Sequence, residues 1–138
     1  VASIAALRDA LQTRIATVSG LRAYDTWPSP LMPPAALVRP ADPMVEFEEV
    51  LGPSTQALYH FEVHVAVGLG DLRSAQDALD GYLSPSGSAS VPAAILGDRT
   101  LGGLANGTWV RRARQWGSEL ISGVEVLGAI LDVDVDAG

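Results

Sequence analysis

Four groups of side chains have the types and spacing to do chemistry. His60, Glu62 and His64 alternate along one stretch, and two imidazoles with a carboxylate can ligate a transition metal. On a strand, though, residues two apart are separated by about 6.6–6.8 Å and residues four apart by about 13 Å. His60 and His64 therefore cannot share one ion without a bulge, and an exposed or subunit-facing strand face is expected. Glu46, Glu48 and Glu49 cluster, but acid–base work would need one of them desolvated and raised in pKa. Nothing apolar surrounds them in sequence, so a solvated or lumen-facing acidic edge is expected. Trp109, Arg111, Arg112, Arg114 and Trp116 interleave guanidinium and indole, a pattern that can hold nucleic acid. The competing reading is cross-strand pairing with Glu125 and the terminal aspartates, or docking of a neighbouring subunit. Asp132, Asp134 and Asp136 share one face of the closing segment.

The element that must position these groups is Ala57 to Leu69. Tyr59, Phe61, Val63, Val65 and Val67 alternate with His60, Glu62, His64 and Ala66, the period-two pattern of a half-buried strand. Its length predicts pairing on both sides, at the centre of a sheet. Before it, Val45 to Val50 is expected to form the other arm of a long hairpin, with Gly52-Pro53 at the tip. Seven of the nine prolines lie between Pro28 and Pro53, which predicts stiff connections and edges. Short strands are still expected at Leu21–Trp27 and Ala35–Arg39.

Helices are expected on either side of this region. Ser3 caps a run to about Val18 in which Ile4, Leu7, Leu11, Ile15 and Val18 recur at helical spacing, and Gly20 stops it. Asp71 opens a second helix to Leu83, with Leu72, Ala75, Leu79 and Leu83 as its apolar stripe. Ser90 caps a short third one, with Pro92 in its first turn. Thr108–Trp116 is read as a strand whose faces hold Trp109, Arg111 and Ala113, or Val110, Arg112, Arg114 and Trp116. Gly117–Gly123 is read as its turn, and Val124–Val135 as the return.

Composition narrows the classes. The chain has 138 residues, 48% of them hydrophobic, enough for one cored domain over residues 1–138. It has no cysteine, which excludes disulfides and thiolate metal sites. No apolar run is long enough to span a membrane and no signal peptide opens the chain. Val1 stands where a Met would start translation, consistent with a processed or missing leading piece. Net charge is −7 and all nine basic residues are arginine, a balance unsuited to gripping phosphates. Neither GLGDLR nor SPSGSAS completes a phosphate loop or a nucleophile elbow, and Asn106-Gly107-Thr108 is read as a turn. No catalytic signature, cofactor site or metal site is expected.

Several phrases resemble the tail terminator proteins of long-tailed (siphovirus-type) bacteriophages, particularly those of actinobacteria. They are LRDAL (Leu7–Leu11), PPAALV (Pro33–Val38), RSAQDALDGYLSPSGSASVPAAI (Arg73–Ile95), DRTLGG (Asp98–Gly103) and GVEVLGAILDVDV (Gly123–Val135). The resemblance implies an α+β domain with a mixed, mostly antiparallel sheet, long β-hairpins and two main helices on one face. It implies a virion structural protein, assembled in the host bacterial cytoplasm, whose ring, usually a hexamer, caps the tail tube. The tube protein would lie on one side and head-completion or neck proteins on the other, with DNA passing through the lumen unbound. Six copies would carry a charge of about −42 from −7 each, and an acidic lumen repels DNA. Candidate lumen residues are Glu46, Glu48, Glu49, Asp132 and Asp134; the candidate subunit interface is Trp109, Arg111, Arg112, Arg114 and Trp116. The alternatives are a head-completion or minor tail protein of the neck, and, from another class, a nucleic-acid-binding module.

Overall fold

Alternation along one strand decides the architecture. The structure, a computed structural model, describes residues 3–47 and 56–137. The central strand β3 (Ala57–Gly68) lies between β2 (Ala35–Phe47) and β5 (Val124–Ala137), antiparallel to both. The short β1 (Arg22–Tyr24) runs parallel to β2, and β4 (Gly107–Ile121) runs antiparallel to β5. The result is a mixed five-stranded sheet in the order β1-β2-β3-β5-β4.

One face of that sheet is apolar and carries all three helices, as an α+β fold requires. Ala36 and Val38 of β2, Phe61, Val63, Val65 and Val67 of β3, and alternate residues of β5 from Leu127 to Val135 line it. Leu7, Leu11 and Ile15 from α1 (Ile4–Ile15) pack onto it. So do Ala75 and Leu79 from α2 (Leu72–Leu83), and Val91 and Ile95 from α3 (Val91–Leu96). Each fully buried large aliphatic contributes about 1.5–3 kcal/mol, so this layer holds the fold together. Caps sit where the sequence puts them. Ser3 Oγ accepts the Ala6 N–H at 3.1 Å, and Ser90 Oγ accepts that of Ala93 at 3.0 Å. Leu72 departs from its expected stripe: it is exposed, while Ala75 and Leu79 are buried.

Two strands are longer than their sequences suggest. β2 runs as one strand through Pro40 and Pro43, not as separate pieces. Its register on β3 is lost between Pro40 and Val45 and resumes with Val45 opposite Tyr59. Prolines are tolerated because β1 pairs only with Ala35–Leu37, so the rest of that side of β2 is a sheet edge. Likewise β4 passes through Gly117 to Ile121, and only Ser122 and Gly123 make the turn. Both have positive φ, +49° and +78°, the signature of the two-residue turn that matches strand twist. The expected hairpin tip at Gly52-Pro53 lies outside the described residues.

Among the described residues, the opposite face is covered at one end only. There Leu31, Ala35, Ala66, Ile121 and Val126 are buried, with Trp27 and Tyr24 packed on them. The proline-rich connection thus caps a small second core. Gly123→Ala, which puts a Cβ at a left-handed position, should lower unfolding free energy by about 1–2 kcal/mol, measured by urea denaturation.

Candidate functional site

The other end of that second face carries charge. Its rows follow from strand register: Arg39, Glu62, Asp132 and Arg112 stand side by side on β2, β3, β5 and β4. The next row along pairs His60 with Asp134 and Trp109. Strict alternation would send Arg111 and Arg112 to opposite faces. A bulge between Val110 and Arg112 removes that conflict. Val110 stays opposite core residue Val133, while Arg111 and Arg112 both reach carboxylates on the charged face.

The contacts form a continuous network. Glu62 accepts from Arg39 Nε at 3.0 Å and from Arg114 Nη2. Arg114 Nε donates to both oxygens of Asp132 at 3.1 Å, and Arg112 stands 3.6 Å from the same carboxylate. Arg111 Nε donates to Asp134 at 2.6 Å, and its guanidinium lies 5.8 Å from the Trp109 ring centroid, within cation–π range. His60 bridges two strands: Nδ1 is 2.6 Å from Asp134 on β5 and Nε2 is 2.6 Å from Glu46 on β2. A groove of about 320 Å³ runs above these groups. Five carboxylates line it (Asp42, Glu46, Glu62, Asp132 and Asp134), against three guanidiniums and the His60 ring.

The two histidines respond to this setting in opposite ways. At His60, burial weighs against the charged ring. Hydrogen bonds donated to Asp134 and then to Glu46, with their negative charges, outweigh it and raise the ring's pKa above the usual 6.5. His64, next but one along the chain from Glu62, is only 9% exposed, in a row with buried Leu37 and Ile130. Burial, reinforced by the charge of Arg39, pushes its pKa down to about 4. Its Nε2 has no hydrogen-bond partner and stands 4.0 Å from Glu62. Burial also opposes ionisation of Glu62, but the hydrogen bond and charge of Arg39, then of Arg114, hold its carboxyl below the usual range.

The two candidate sets read from the sequence are therefore largely one site. Arg111, Arg112 and Arg114 meet Asp132 and Asp134 directly, and Glu46 joins through His60. Trp109 takes part through Arg111. Trp116 is exposed on β4 beyond Arg114 and makes none of these contacts, while Glu48 and Glu49 lie outside the described residues. Cross-strand pairing with Asp132 and Asp134, part of the competing reading of the arginine run, is what the geometry contains; Glu125 stands opposite Leu120, away from the run. His64, expected on an exposed face, is buried. Arg39 was missed, and its only signal was a parity matching Glu62 on the neighbouring strand. No three His, Asp or Glu side chains converge as a metal site among the described residues. Nor is any of their helices long and apolar enough to cross a membrane. No protein-family profile matches the chain, and no curated protein matches it significantly.

Stability should peak near pH 6.5. The unfolded chain binds a proton at His64 between about pH 4 and 6.5 that the folded one refuses, so stability rises with pH there, by up to about 3 kcal/mol. The contribution of His60 is complete below about pH 6.5 and is lost as pH rises through its raised folded value. Urea unfolding across this range should show both limbs. His64→Phe should flatten the acid limb and His60→Gln the alkaline one; a wild-type profile level below pH 6.5 contradicts the His64 assignment.

Burial also ranks the carboxylates. The Glu62 side chain is 15% exposed and that of Glu46 61%. At neutral pH, Glu62→Ala should therefore cost about 2 kcal/mol and Glu46→Ala less than about 1 kcal/mol, by the same assay.

Proposed function

We propose that the chain is a bacteriophage virion structural protein, a tail terminator whose copies close into a ring on the end of the tail tube. The observation that carries this reading is the outer edge of β4. It is a 15-residue strand with no partner on that side among the described residues, and Trp109, Trp116 and Leu120 on it are exposed. Long open edges invite pairing with another chain. The far edge of the sheet is unlike it, made of three-residue β1 and the proline-bearing part of β2. Contacts between unlike surfaces are head-to-tail, and such contacts generate rings when the rotation closes.

The quoted sequence phrases support the same reading, as does the α+β sheet with its helices confined to one face. In it the protein binds itself, as a hexamer, with the tube protein on one side and neck proteins on the other. The arginines that would serve a nucleic acid are already engaged by carboxylates. With more acid than base around the groove, DNA passing such a ring is not gripped. A head-completion or minor tail protein would use the same open edge, and partner choice separates it from a terminator.

Polymerising tail-tube subunits mixed with the purified protein and imaged by negative-stain microscopy should give tubes of limited length, each ending in a ring. Tubes that grow unchecked and bare-ended would remove the terminator role, and binding to portal or head-completion proteins would then establish the neck alternative.

A further inference from the structure

Among the described residues, the outer part of β2 has few ties to the sheet. Register with β3 is lost between Pro40 and Val45. Beyond that break only three register pairs hold the strand among the described residues, at Val45, Glu46 and Phe47. Core packing adds little here. Phe47 is 81% exposed, and Met44 is half exposed. Among the described residues, the side-chain tie of this arm is the His60 bridge, which joins Glu46 to Asp134 on the far side of β3.

That bridge has a chemical requirement. Both ring nitrogens face carboxylate oxygens at 2.6 Å, and a carboxylate can only accept. Both contacts are hydrogen bonds only when the ring carries two protons. The neutral ring has one N–H, so one contact must become a meeting of two lone pairs. Asp134 is the anchored partner, 13% exposed and also bound by Arg111. Glu46 is mostly in solvent and has no other side-chain partner among the described residues. Loss of one proton therefore costs the Glu46 contact.

We infer that His60 is a proton-operated latch: doubly protonated, it holds the Val45–Phe47 arm against the sheet, and singly protonated it releases that arm. The surrounding charges set the poise of the latch. From β2, Asp42 and Glu46 face the groove; from its own strand, Glu62; from β5, Asp132 and Asp134. Arg111, Arg112 and Arg114 of β4 oppose them, but each is committed to Asp132, Asp134 or Glu62. The two carboxylates in contact with the ring favour its charged form, so release falls above the usual histidine value of about 6.5. The latch belongs to the single chain and does not depend on ring formation.

The test is site-resolved amide exchange by NMR, with titration of the His60 ring resonances in the same samples. Between about pH 6 and about pH 8.5, after correction for intrinsic exchange, protection at Val45–Phe47 should fall severalfold, in step with loss of the ring proton. Protection in β5 should hold. His60→Gln cannot titrate and should give pH-independent protection of the arm. Glu46→Gln leaves the His60–Asp134 contact in place and should remove most of the pH response. Arm protection that follows the rest of the sheet across this range overturns the latch. So does a His60 ring that titrates below about pH 6.5, the unperturbed value.

Discussion

The structure depends on keeping one row of charge in register. Arg39, Glu62, Asp132 and Arg112 cross four strands side by side, and the reverse face of those strands is the floor of the core. A slip of one residue in any strand would turn a carboxylate or guanidinium under the helices. Burying an unpaired charge there costs several kcal/mol, which exceeds what most local adjustments can return. The ionic face therefore adds modest stability and strong specificity. It says which residue stands opposite which.

The second face is also divided lengthwise. At one end Trp27 and Leu31 from the proline-rich connection seal a small apolar patch. At the other lies the charged groove. His64 lies at the boundary between them, in a buried row with Leu37 and Ile130, which is why burial disfavours its charged ring while the carboxylates around His60, four residues earlier, favour that one's.

Much of this was legible in the sequence, and the exceptions have physical causes. Alternation in β3 gave its length and its inner face, and Ser3 and Ser90 gave the starts of α1 and α3. Proline density in residues 28–53 argued against a long strand, yet β2 is one, because a proline on an edge gives up an N–H that has no sheet partner. Gly117 looked like the start of a turn, but Ser122-Gly123 holds the left-handed pair that makes it. The site was half legible. Its acids and arginines were visible as groups, but alternation assigned Arg111 and Arg112 to opposite faces. The one-residue bulge between Val110 and Arg112 that reconciles them is not signalled by the residue types alone.

The topology also has a kinetic consequence. The sheet is two antiparallel hairpins, β2–β3 and β4–β5, joined along a single seam between β3 and β5. Hairpins close in about 1–10 μs, whereas the seam joins strands separated by all of α2, α3 and β4. Such distant pairing dominates folding time. Each hairpin brings its own ion pairs, Arg39 with Glu62 in one and Arg111, Arg112 and Arg114 with Asp132 and Asp134 in the other. Two contacts bridge the seam, Arg114 to Glu62 and His60 to Asp134. Until they form, β3 presents an apolar strand with one side unpaired, and in that interval the chain is most exposed to capture by another copy of itself.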